Sequence, residues 1–435
     1  MAESVILEEI RLPEFKSFLG GVVHLRPLAL LVGRNGSGKS NVLDGIEALA
    51  RLARGDNLRD SLAEIRGGFS GCPPFGSGQF SLGCTVALGS NRFGLDVSIR
   101  VEPEPQIVSE RLWVASDKPE GRTLLASENA PRQGLSDIIA RYDNGKRGLN
   151  PPLAFSSNRL LIAQVATRVP LRGATSTENA ALKLVHTAST AILGGLRSVF
   201  ILDPVPHLMR QYVAKQDSQL RRDADNLSAV IGKLQTDPSA RTRLLELARM
   251  LPQQQIDRIR VDESPLGDVM ISLRERAGSS RKSVVVSARL MSDGMLRFLA
   301  LSAALLEEPP SFDEIPGRRV LVVEEIENGL HPAQAGILLE LLRGEVSSRG
   351  LGIVATTHNP ALLSSLSPED HAGVIICDRD EVTGASRLRR LVDLPAYPVA
   401  MAQGDLGDAV TQGRLFVPVD VEHREQAMAE LLAKI

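Results

Sequence analysis

Cysteine is scarce in this 435-residue chain: only Cys72, Cys84 and Cys377 occur, far apart. That scarcity excludes a disulfide framework, a zinc ribbon and a CxxC redox motif, and it suits a reducing cytoplasm. Long apolar runs are missing as well. The longest, residues 298–306, has nine residues including Ser302, against the roughly 20 that a bilayer-crossing helix needs, so no membrane span is expected. The opening MAESVILEEIRLPEF carries Glu3, Glu8 and Glu9 and lacks the basic start and apolar core of a secretory signal, so a cytoplasmic protein is expected. Excess charge of either sign is absent too, with 50 Lys+Arg against 52 Asp+Glu and a net charge of −2. The overall field therefore attracts no polyanion, and a nucleic-acid role requires a local patch.

What is present is material for a core. Hydrophobic residues make up 43% of the chain, and at roughly 150 residues per domain its length suggests about three domain-sized units. Short strands are expected over 5–12, 22–25 and 28–32, the last fully apolar, then a Gly-rich loop and a helix whose apolar positions run from Val42 to Ala53. β-rich stretches at 80–88, 93–101, 110–115 and 122–126 predict an antiparallel lobe, and 127–152 reads as loop. From about 176 to 260 the pattern is helical, broken at Gly194-Gly195, Asp203-Pro204, Asp237-Pro238 and Leu251-Pro252, with no sustained heptad. Strands and helices then alternate from 268 to 377, the order of a parallel α/β sheet.

Four elements carry chemistry. Gly33-Arg34-Asn35-Gly36-Ser37-Gly38-Lys39-Ser40 matches GxxxxGK[ST] between an apolar strand and a helix. In such a loop successive N–H groups and the helix N-terminus face phosphate oxygens, Lys39 reaches the β and γ phosphates, and Ser40 ligates Mg²⁺. The apolar strand ending in Glu324-Glu325 places Glu324 to hold Mg²⁺ and Glu325 to polarise an attacking water. Ser292-Asp293-Gly294 opens a helix, either as an anion site that serves a partner's nucleotide or as an ordinary Ser N-cap. His358, at the end of a strand in Thr356-Thr357-His358-Asn359-Pro360, is suited to contact the γ-phosphate and the attacking water, the alternative being a surface or capping residue.

In order and spacing these elements resemble the ABC-type ATPase heads of the SMC and RecF-like group, and Phe15-Lys16-Ser17-Phe18 and the loop continuing to Asn41 look like SMC N-terminal segments. The resemblance implies an α/β fold: a P-loop NTPase with an ABC-type head, made of a mixed or parallel sheet plus an antiparallel β lobe, and an inserted helical subdomain. It implies domains at 1–170 (P-loop and β lobe), 171–265 (helical insertion) and 266–435 (the second half of the head). It also implies ATP and Mg²⁺ as cofactors, bound by Arg34 to Asn41, with Ser292 and Gly294 acting in trans, Glu324 at the metal, Glu325 as catalytic base, Asn328 to His331 as D-loop and His358 as switch. Gln164 is the candidate for the family's Gln loop, and Phe15 and Phe18 for a place near the base.

Ser-Asp-Gly in place of Ser-Gly-Gly, Glu-Glu in place of Asp-Glu, and Glu327-Asn328-Gly329-Leu330-His331-Pro332 look like compact prokaryotic ATPases related to the overcoming-lysogenization-defect nucleases. Those nucleases carry a Toprim domain, and no motif of that type follows His358 here; Asp378 and Asp380 read as a hairpin turn. The resemblance then extends to phage-defence ATPases that work with a separate effector, such as that of the PARIS system. It implies a slow ATPase that dimerises, or forms a higher homo-oligomer, around ATP and controls a nuclease or toxin. The alternative is a DNA repair or recombination ATPase, for which Arg221-Arg222, Arg241/Arg243 and Arg387/Arg389/Arg390 are the candidate contacts. A transporter subunit ranks last, because Lys39 and Ser292 lie too far apart.

Overall fold

The structure, a computed structural model, describes residues 4–128, 137–251, 255–276, 283–308 and 314–416. The chain divides into two compact units, one of Met1–Val199, Ser311–Val320 and Ile375–Arg389, the other of Phe200–Pro310, Leu321–Val374 and Arg390–Ile435.

In the first unit, eight antiparallel strands form one sheet in the order Val22–His24, Ile6–Glu14, Gln79–Leu88, Asn91–Arg100, Gln106–Val114, Arg122–Ser127, Asp137–Tyr142 and Pro152–Ser156. Alternate residues Phe80, Leu82, Cys84 and Val86 are buried, as period-2 side chains on the core face of a strand must be. The single tryptophan fits because its cross-strand partner is Gly94. A Cβ there would lie 2.0 Å from the Trp113 ring, whose Nε1–H donates to Asp96 at 2.8 Å. The strands Leu28–Val32, Val374–Arg379 and Ser386–Arg390 lie side by side in that order. The helix Ser176–Arg197 starts at a capping box, Thr175 accepting from the Glu178 N–H and Glu178 reaching back to the Thr175 N–H.

In the second unit the strands run in the order Val199–Leu202, Val320–Val323 and Gly352–Thr357, and the helix Ala335–Arg349 connects the last two. A second sheet places Asp268–Arg276 between Ile256–Glu263 on one side and Val213–Ala214 and Ser283–Ser287 on the other. The helices Leu227–Leu234, Pro238–Arg249 and Asp293–Leu306 complete this unit's framework.

Three expectations need correction. The strands Asp268–Arg276 and Ser283–Ser287, read as part of a parallel sheet, pair antiparallel with each other in the second sheet. The loop expected over 127–152 contains the strands Asp137–Tyr142 and, at its end, Pro152–Ser156; residues 129–136 lie outside the described residues. The helical stretch from 176 to 260 is interrupted by the strand Val199–Leu202 and ends in the strand Ile256–Glu263. The latter was masked by a register shift between Ile256 and Arg258, which spaces the buried Ile256 and Ile259 by three and hides the strand period.

Candidate functional site

The motifs are shared between the two units. In the first, the apolar strand Leu28–Val32 delivers the chain into a loop that glycines alone can make. Gly36 (φ 78°) and Gly38 (φ 110°) take the left-handed region, and a Cβ on Gly33 would stand 2.1 Å from the Cys377 carbonyl oxygen. Lys39 is buried, and its Nζ donates to the Gly33 and Arg34 carbonyls at 2.7 and 3.0 Å, folding the side chain back over the loop. The Ser37 Oγ is buried without a hydrogen-bond partner, while Arg34, Asn35 and Gly36 are exposed. The helix Lys39–Leu52 has no acidic residue in its first turn, leaving its positive end uncompensated. An orphaned hydroxyl, a buried cation and an open glycine cradle fit a polyphosphate; Lys39 would hold its β and γ groups, and the Ser40 hydroxyl its Mg²⁺.

Residues outside the motif brace this loop. Asn41 Nδ2 donates to Ser17 Oγ at 2.7 Å, and Ser17 Oγ meets Ser386 Oγ at 2.7 Å, directly behind Gly38. The Arg379 Nε donates to the Gly36 carbonyl at 2.7 Å. Lys16, at φ 49°, is paired with buried Asp44 of the P-loop helix at 2.7 Å. Phe15 and Phe18 are fully buried, so both are core residues, and neither offers a ring face to a base. Gln164 is also occupied: its Oε1 accepts from the Ser156 N–H at 2.9 Å and its Nε2 donates to the Ser156 and Leu160 carbonyls. It clamps a turn whose Leu161 and Ile162 N–H groups are held by the buried Glu110 carboxylate, pushed up to about 7 by its burial.

In the second unit the buried strand Val320–Val323 ends at Glu324 and Glu325. Glu325 adopts φ 47°, a conformation that costs a non-glycine residue about 1–3 kcal/mol and is retained only where neighbours enforce it. The enforcing neighbours come from the end of the strand Gly352–Thr357: the Glu325 N–H donates to Thr356 Oγ1 at 2.7 Å and the Ile326 N–H to the Thr356 carbonyl at 3.2 Å. The turn so formed places the Glu325 carboxylate 3.4 Å from His358 Nδ1. Glu327, to which the sequence motif assigns no role, is buried, and its Oε1 accepts from Thr357 Oγ1 at 2.9 Å and the His358 N–H at 3.2 Å. Its signal in the sequence was a pair of strand-end hydroxyls, Thr356 and Thr357, next to a histidine.

Ser292 is an exposed N-cap whose Oγ accepts from the Met295 N–H at 3.2 Å. Gly294 has a local reason: its Cβ would lie 2.0 Å from the Gly329 carbonyl oxygen. The first turn of this helix therefore rests on the backbone that follows the acidic pair. Arg297, one turn further on, lines the same recess as Glu324, Glu325 and Asn328.

A family profile described as "AAA domain, putative AbiEii toxin, Type IV TA system" matches residues 28–364, from the strand before the glycine loop to the helix after His358. The chain belongs to this family. It is an α/β protein with an AAA-type P-loop domain. Similar solved structures include an SMC head domain from Thermotoga maritima, at 13% identity and a TM-score of 0.41, covering 88% of this chain and 98% of that one. An Smc head bound to the C-terminal winged-helix domain of ScpA has 15% identity and a TM-score of 0.47 over 88% and 97%. A Pyrococcus furiosus Smc head with an extended coiled coil, bound to the C-terminal domain of ScpA, has 14% identity and a TM-score of 0.42 over 88% and 96%. No curated protein matches. Among the described residues no helix is long and apolar enough to cross a membrane.

Proposed function

We propose that this protein binds and slowly hydrolyses ATP with Mg²⁺, and that ATP joins two copies into a dimer whose closure and opening control a separate effector in anti-phage defence. The observation that carries the reading is the contact of Gly294 with Gly329. It links the exposed Ser292 end of one helix to the segment that begins at Glu325, so a ligand presented to Ser292 by a second copy bears on the acidic turn. Lys39 and Ser40 hold phosphates and metal, Glu324 shares the metal, Glu325 takes the proton of the attacking water, and His358 orients it. The bound metal supplies Lewis-acid stabilisation of the phosphoryl oxygens. The family's description as a putative AbiEii toxin of a type IV toxin–antitoxin system supports the defence setting.

The test is the solution mass of the Glu325→Gln protein with and without ATP and Mg²⁺. We expect a doubling with nucleotide that a Ser292→Arg change on the same background removes. An unchanged mass, or a doubling that survives Ser292→Arg, overturns the trans role of Ser292.

Glu327 gives a second test. Alanine there leaves the Thr357 hydroxyl and the His358 N–H without their acceptor, at about 1–3 kcal/mol for each group left unpaired. The expected result is a kcat lowered about tenfold or more with KM nearly unchanged, and recovery in Glu327→Gln, which keeps an oxygen at that place. A change confined to KM would show that Glu327 does not position His358.

A further inference from the structure

Most arginines singled out by sequence are neutralised in the fold. Arg221 is held by Asp217 and Asp225, Arg387 by Asp380, Arg389 by Asp378, and Arg243 by Glu345 at 2.8 Å. Arg241 is different. It lies with Arg249, Arg258 and Arg260, all exposed, along an open groove of about 820 Å³ between the helix Pro238–Arg249 and the strand Ile256–Glu263. The two carboxylates lining that groove are engaged by arginines that do not line it, Glu246 by Arg243 at 3.2 Å and Asp257 by Arg276 at 3.0 Å.

Of the four guanidinium groups, Arg260 shares its charge with Asp262 at 3.4 Å. Arg249 donates to the Ile256 and Asp257 carbonyls at 2.8 and 3.1 Å, which fixes its position without cancelling its charge. Arg241 and Arg258 have no ion pair among the described residues. Three cations therefore stand uncompensated on two adjoining elements of a chain whose net charge is −2.

We propose that this groove binds the sugar–phosphate backbone of a nucleic acid. Guanidinium forks match phosphate oxygens in pairs. Arg258 and Arg260, two residues apart on one strand, share a face at a spacing of about 7 Å, so they meet a line of repeating charge and not one small anion. An open channel admits a strand, and contacts of this kind give affinity without sequence preference. The proposal goes beyond the ATP-driven dimer and stands or falls separately from it.

The test uses the full chain and labelled single-stranded DNA, duplex DNA and RNA of equal length, with anisotropy followed across a salt series. Wild type is expected to bind at least one of them with affinity falling steeply as salt rises. The Arg241→Glu, Arg258→Glu double variant is expected to bind at least about tenfold more weakly, with the log–log salt slope lower by about 1.4 to 1.8, from 0.7–0.9 for each of two phosphate contacts. Arg221→Gln, at an arginine already paired, should leave binding unchanged, and the double variant should hydrolyse ATP at the wild-type rate without nucleic acid. The proposal is overturned if wild type shows no salt-dependent binding, if the double variant binds like wild type, if Arg221→Gln loses as much, or if poly-glutamate binds the groove as tightly as DNA.

Discussion

Lys39→Ala is expected to abolish nucleotide binding at working concentrations, raising the Kd for ATP by about 30-fold or more. The ammonium is buried at the loop's centre and is held by two loop carbonyls, Gly33 and Arg34, which fix it in place before any phosphate arrives. Truncating one member of a buried, hydrogen-bonded charge pair costs about 2–5 kcal/mol, and every 1.4 kcal/mol is a factor of ten in affinity. The rest of the loop survives the change. Its turns depend on Gly36 and Gly38 and on the Asn41, Ser17 and Ser386 contacts, and alanine is the best residue for the start of the helix Lys39–Leu52. Calorimetric titration with ATP and Mg²⁺ measures the effect. A variant that melts like wild type yet binds within threefold of it would remove Lys39 from the phosphate site.

The loop was legible in sequence because its chemistry is local. A phosphate cradle needs glycines, a lysine and a hydroxyl at fixed offsets along eight consecutive residues, and the flanking strand and helix follow from apolar spacing alone. What was not legible depends on chain segments far apart in sequence. Nothing near Asn41 announces that Ser17 and Ser386 would meet behind Gly38. Gln164 offered a correct residue type in a plausible place, but an amide can also hold a turn together, and four backbone groups within reach decided that use for it. Phe15 and Phe18 had the right shape for a base platform, but with aromatics at 3% of the chain the core takes them. The arginine groove was the least visible. It is assembled from a helix and a strand, and that strand was itself hidden by an irregular register. Clusters of arginines adjacent in sequence proved poor guides, because aspartates and glutamates close by in the fold hold them.

Glu325→Gln is expected to bind ATP as wild type does and to hydrolyse it about 10²–10⁴ times more slowly, the range over which a positioned general base acts. The two adjacent carboxylates are distinguished by backbone conformation. Glu324 continues from the end of the strand, whereas Glu325 is turned by its left-handed φ toward His358. The contacts that enforce that turn are made by main-chain N–H groups on the Thr356 hydroxyl and carbonyl, and they persist when the side chain becomes an amide. Glutamine is the same size as glutamate, so the variant loses the carboxylate proposed as proton acceptor and little else. Glu324→Gln should behave differently, its defect falling as Mg²⁺ is raised, because a metal ligand weakened by loss of charge is compensated by mass action. Steady-state hydrolysis of both variants over a Mg²⁺ series separates the roles. If excess Mg²⁺ restores Glu325→Gln and not Glu324→Gln, the assignments of base and metal ligand must be exchanged.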